Sequence, residues 1–132
     1  MTVYDHISFE EYAGGITVID SGFVRENMAA CYMMESGPEV AFIEVGANSS
    51  APRLMKILEK RGFKSESVTY VIVTHVHLDH AGGAGSLMQL LPNATLLVHP
   101  YAARHMIDPS RLEAGTRAVY GDALFDQMYG KL

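Results

Sequence analysis

The run of apolar and polar positions predicts a meander of strands that gives way to alternating helices and strands. Ile16-Thr17-Val18-Ile19-Asp20 is short and rich in β-branched residues, and reads as a first strand. Met28 to Glu35 and Val40 to Val45 read as two more. Ser36-Gly37-Pro38-Glu39 joins them with the chemistry of a tight turn. The stretch from Met28 carries few charges, which predicts a central place in its sheet. Glu10-Glu11-Tyr12-Ala13-Gly14-Gly15 is polar and glycine-bearing, and reads as a lead-in rather than an element.

The period then changes. Ser50 is a candidate N-cap, with Pro52 just inside the helix where its missing N–H costs nothing. Leu54, Ile57 and Leu58 share one face, Arg53, Lys56, Glu59 and Lys60 line the other, and Gly62 ends the helix. Val68-Thr69-Tyr70-Val71-Ile72-Val73 reads as a buried strand. Leu87, Leu90 and Leu91 predict a second apolar helix face, stopped at Pro92-Asn93. Thr95-Leu96-Leu97-Val98 returns as a strand, and Pro100 opens a short helix through Ala103 to Ile107. Beyond Asp108-Pro109 the pattern weakens to helical turns near Arg111–Arg117 and Asp122–Tyr129. This order predicts one α/β domain over residues 1–132, with a mixed sheet.

Composition narrows the function classes. At 48% hydrophobic and 19% charged, the chain has the balance of an ordinary globular domain. Its net charge of −5 argues against a nucleic-acid surface, which would want a basic face. No apolar run approaches the roughly 20 residues of a membrane span, and Met1 to His6 lack the pattern of a signal peptide. Cys31 is the single cysteine, so no intrachain disulfide can form, and a cytoplasmic location is expected. Cys31 reads as a small buried hydrophobe, and Met33, Met34, Met55 and Met88 sit in strand or helix patterns and read as core filling. Gly82-Gly83-Ala84-Gly85-Ser86 lacks the spaced glycines and lysine of a phosphate loop, and no Gly-x-Ser-x-Gly elbow occurs.

The chemistry concentrates in Thr74-His75-Val76-His77-Leu78-Asp79-His80, after the Val68 strand and before Ala81-Gly82-Gly83-Ala84-Gly85. Side chains at i and i+2 of an extended segment point the same way, so His75 and His77 can reach one metal ion. Asp79 and His80 lie where the chain turns into the next helix, and their different directions suit a second ion. Imidazole and carboxylate donors suit zinc, and also iron or manganese. Two ions about 3.5–4 Å apart can share a bridging hydroxide and polarise a carbonyl or phosphoryl oxygen. A histidine-rich surface loop without metal is the plain alternative. Four ligand-type residues among the six from His75 to His80, between a strand and glycines, favour metal.

Thr-His-Val-His-Leu-Asp-His-Ala-Gly-Gly at 74–83 resembles the H-x-H-x-D-H signature of the metallo-β-lactamase superfamily. The meander, the Phe42-Ile43-Glu44-Val45-Gly46 strand end, the Pro52 helix and Leu96-Leu97-Val98-His99-Pro100 resemble the amino-terminal half of its αββα sandwich. The resemblance implies that His75 and His77 ligate a first zinc, and Asp79 and His80 a second. Asp79 would also steer the hydroxide or a proton. It puts an aspartate, with a supporting hydrogen bond near the site, where this chain has Glu44. It implies opening of an ester, thioester, lactone or β-lactam-like carbonyl in a small-molecule substrate. Its remaining ligands come from a second half: a histidine near a glycine-histidine-threonine segment, a bridging aspartate or cysteine, and a final histidine. His99 and His105 do not match those contexts. A pairing with a carboxyl-terminal half, or a homodimer, is therefore expected to complete the site and cover the exposed sheet face. The alternative is a non-catalytic metal-binding module that self-associates.

Overall fold

The computed structural model describes residues 7–22, 29–75 and 81–107, together with 110, 114, 117, 118, 121 and 122. Six strands form one sheet in chain order: β1 (Phe9–Tyr12), β2 (Ile16–Asp20), β3 (Ala30–Ser36), β4 (Glu39–Ile43), β5 (Val68–Val73) and β6 (Thr95–Val98). The first four run antiparallel to their neighbours, while β4, β5 and β6 are parallel. The mixed α/β sheet read from the sequence is what forms. The break between modes falls where α1 (Ala51–Lys60) first carries the chain across the sheet.

The stretch from Glu10 is not the lead-in that its polarity suggests. Phe9 to Tyr12 form β1, paired from Phe9 opposite Ile19 to Tyr12 opposite Ile16. It is an edge strand, and Glu10 and Glu11 are the kind of charge that protects an edge from further pairing. Ser36 pairs with Glu39 across the predicted tight turn, where Gly37 takes a φ of 58°.

Alternation sorts the sheet into two faces. Thr17, Met33, Phe42, Val71 and Leu96 stand in one register row on the covered face. Against this face α1 packs Ala51, Leu54, Ile57 and Leu58, and α2 (Ala84–Gln89) packs Ala84 and Leu87. The opposite row, Val18, Tyr32, Ile43, Ile72 and Leu97, belongs to the other face. There Tyr32, Met34, Tyr70 and Leu97 are exposed, so α1 and α2 leave that face open.

The ends of α1 show which local signals operate. Gly62, at φ 84°, donates to Glu59 O and Phe63 donates to Leu58 O, closing the helix with a paired turn that only a left-handed residue permits. Ser50 occupies the N-cap position but makes no capping bond. Its hydroxyl instead donates to Ser21 O at 2.7 Å and accepts from the Ala47 N–H at 3.2 Å. A buried tertiary bond has displaced the local one. Arg53 reinforces the same junction, its Nε donating to the Asp20 carbonyl at 3.1 Å. The predicted second helix also differs: α2 ends at Gln89, Leu87 and Leu91 are buried, and Leu90 is exposed. The short helix opened by Pro100, here α3 (Pro100–Ile107), is as expected. The helical turns read from Arg111 and Asp122 fall largely outside the described residues.

Candidate metal centre

In a mixed sheet the loops at the carboxyl ends of parallel strands gather at one edge, and chemistry collects there. Here Glu44, His75 and His99 follow within two residues of the ends of β4, β5 and β6, so three chemistry-bearing residues come to that edge. The strand predicted to run to Val45 stops at Ile43, because Glu44 adopts a φ of 65°. Left-handed backbone is unfavourable for a side chain with a Cβ and costs about 1 kcal/mol or more. The strain is balanced by bonds made on both sides of the residue. The Glu44 N–H donates to Ile72 O at 2.8 Å, which extends the parallel pairing by one step.

The Glu44 side chain is buried and turned toward β5. Its Oε1 accepts from the Thr74 N–H at 2.8 Å and from the Thr74 hydroxyl at 2.6 Å. Thr74 Oγ1 is in turn 2.9 Å from His75 Nδ1, and Glu44 Oε2 lies 3.7 Å from the same nitrogen. A carboxylate behind one ring nitrogen is a recurrent support for an imidazole that binds metal through its other nitrogen. The resemblance places an aspartate at this position; the longer Glu44 makes the supporting bonds itself. Sequence reasoning missed Thr74 as a functional group, because nothing local marks a threonine as the link between a distant carboxylate and a neighbouring histidine.

The far end of the cluster is anchored to the same β4 loop. The Gly83 N–H donates to Gly46 O at 2.9 Å, and a Cβ on Gly83 would run into the Ala47 carbonyl. Gly46 itself has a φ of 67° and lies against Ser50. Glycine is thus required at 46 and 83, so that two loops can touch backbone to backbone. Residues 44–47 therefore grip the histidine segment on either side, at Thr74-His75 and at Gly83.

Of the four expected ligands, His75 is placed by these bonds. His77, Asp79 and His80 lie outside the described residues, as does the whole segment 76–80. Among the described residues no three His, Cys, Asp or Glu side chains converge on a metal position. His99 is exposed, its carbonyl accepting from the N–H groups of Ala102 and Ala103 in the first turn of α3. His105 is part of α3, with no side-chain position described. Cys31 is buried, and burial first, then the Glu44 and Asp20 charges, push its thiol up to about 12. It is a core residue rather than a nucleophile. No helix among the described residues is long and apolar enough to cross a membrane.

Comparison with known proteins agrees with the fold. The sequence profile of the metallo-beta-lactamase superfamily matches residues 24–126. An N-acyl homoserine lactonase of Bacillus cereus is 47% identical over 34 residues, 26% of this chain and 14% of the lactonase. A mutant HARLDQ-motif metallo-beta-lactamase from Cronobacter sakazakii superposes with a TM-score of 0.65 at 22% identity, covering 75% of this chain and 37% of its own. MEM-A1, a subclass B3 metallo-beta-lactamase from a soil metagenome library, gives 0.60 at 27% identity, covering 70% and 33%. The matched region is about a third of each solved relative's length.

Proposed function

We propose, on the premise that the chain belongs to the metallo-beta-lactamase superfamily, that it carries the ligand-bearing portion of a metal-dependent hydrolase. The observation behind this reading is the Glu44–Thr74–His75 relay at the carboxyl end of β5, directly ahead of three more ligand-type residues. His75 and His77 would hold one zinc, and Asp79 and His80 a second, with iron or manganese as possible occupants of the same donors. The donor set fits: imidazoles with a carboxylate among them, one imidazole braced from behind by a carboxylate and a hydroxyl. Zinc, when bound, polarises a carbonyl and lowers the pKa of water beside it.

This chain's own residues contribute position and proton handling. Glu44 and Thr74 set the His75 ring, and Gly46 and Gly83 fix the two loops against each other. Asp79 would in addition steer a proton at the reacting carbonyl. The substrate class is a small molecule with an ester, thioester, lactone or β-lactam-like carbonyl, and the lactonase match supports the lactone first.

The four ligands are too few for two catalytic ions, since a catalytic zinc commonly takes three protein ligands and water. The exposed Tyr32, Met34, Tyr70 and Leu97 on the uncovered sheet face favour a covering layer. A carboxyl-terminal half, or a second copy, would supply that layer and the remaining ligands. The same face supports a second reading, a self-associating metal-binding module without turnover.

Metal analysis of the purified chain alongside sedimentation tests both. Bound zinc, iron or manganese that is lost in His77→Ala is expected, and a metal-free wild-type chain sinks the assignment. Self-association that tracks metal content, without lactone hydrolysis, favours the second reading. Multiple turnovers by a strictly monomeric chain would instead rule out the need for completion.

A further inference from the structure

We propose that Ser50 is a positioning residue for the histidine segment: its hydroxyl fixes the peptide unit between Gly46 and Ala47, and that peptide in turn holds Gly83. The groups stand in one line of hydrogen bonds. The Gly83 N–H donates to Gly46 O at 2.9 Å. The N–H of the same peptide unit, which belongs to Ala47, donates to Ser50 Oγ at 3.2 Å. The Ser50 hydroxyl then donates to Ser21 O at 2.7 Å, just beyond the end of β2. A serine hydroxyl has one proton to give. With that proton on Ser21 O, Ser50 is left with lone pairs, which is what the Ala47 N–H needs. The direction of the whole line is thereby set, from Gly83 to Ser21, and aligned hydrogen bonds strengthen one another.

Burial explains why the bonds matter. Ser21, Ala47 and Ser50 are fully buried, so none of these groups can turn to water instead. Alanine would fit the same space without desolvating a hydroxyl, and only its bonds favour serine there. Ser50 makes no capping bond to α1. Its own N–H also goes to Ala47, donating to the carbonyl at 2.9 Å, so one residue holds the peptide units on both sides of Ala47. Without the hydroxyl the Ala47 N–H is left buried and unpaired, a state that the 46–47 peptide escapes by rotating. Gly46 permits the rotation, since its φ of 67° carries no Cβ penalty. Rotation takes Gly46 O away from Gly83, at the end of the segment opposite His75. The consequence for metal rests on the metal reading above, yet the hydrogen bonds can be read without metal.

The experiment is nuclear magnetic resonance on the metal-free, isotope-labelled chain. It reads the scalar coupling across the hydrogen bond from the Gly83 nitrogen to the Gly46 carbonyl carbon, and the exchange rate of the Gly83 amide. The coupling is expected in the wild type, and its absence there overturns the proposal. In Ser50→Ala it should vanish, and Gly83 exchange should rise about tenfold more than that of amides at the centre of β4 and β5. Ser50→Cys, which fills the same space with a weaker hydrogen-bonding group, reports the same way if the alanine variant fails to fold. A residue that only stabilises the fold would raise all protected amides alike and leave the coupling in place. Either result in a folded variant overturns the proposal. A zinc titration against a chromophoric chelator tests the consequence, and affinity should fall about tenfold in folded Ser50→Ala. Unchanged affinity with the coupling lost overturns the positioning role. No zinc uptake by a wild type that shows the coupling would sink the metal assignment and leave the peptide bridge standing.

Discussion

The two faces of the sheet are built from the same strands and are similarly apolar, yet α1 and α2 cover only one. Met33, Phe42 and Val71 are sealed under α1 and α2, whereas Tyr32, Met34, Tyr70 and Leu97 are between 38% and 44% exposed. Strands that are apolar on both sides belong to sheets covered on both sides. The difference teaches that hydrophobic pattern records what a strand is built to bury, and topology records what buries it here. The site lies at an edge of this sheet, where buried Glu44 holds exposed Thr74.

The largest expected effect tests the covered face. Phe42→Ala removes a fully buried ring and should cost about 3–5 kcal/mol in urea unfolding. A cost below about 1 kcal/mol would mean that the packing described for α1 does not form. Next comes the contact between loops. Gly83→Ala forces a Cβ onto the Ala47 carbonyl and should cost about 1–3 kcal/mol. Unchanged stability would separate the two loops and remove the grip on the histidine segment.

A smaller effect follows from pH. The Cys31 thiol has an ordinary pKa of 9.0 and is held at about 12 in the folded chain, chiefly by burial. The unfolded chain therefore loses this proton first. The contribution to stability is complete below pH 9 and is lost as pH rises toward 12. Urea midpoints measured from pH 8 to pH 11 should fall more steeply in the wild type than in Cys31→Ala. Equal slopes would place the thiol in water. Smallest of all is Tyr70→Ser on the open face, where Tyr70 is 44% exposed and about 0.5 kcal/mol is expected. A loss comparable to that of Phe42→Ala would show the open face to be covered in solution, most simply by a second copy.

Much of the fold is legible in the chain. Gly62 ends α1 because its left-handed turn is a local property, and Leu54, Ile57 and Leu58 mark its buried face by spacing alone. Other residues mislead for an equally physical reason. Ser50 has the right identity for a cap, but a buried carbonyl at Ser21, far away in sequence, competes for its hydroxyl. Glu10 and Glu11 look like loop because an edge strand needs charge more than it needs apolar alternation.

By itself the sequence determined the identity and spacing of His75, His77, Asp79 and His80, and their place after a strand and before glycines. These are local properties, set by side-chain chemistry and chain geometry over a few residues. The tertiary structure decided that Glu44, 30 residues earlier, closes on Thr74 and His75, and that Gly46 meets Gly83. Parallel pairing of β4 with β5 brings those positions together. No local pattern can announce it, because register between distant strands is a property of the whole sheet.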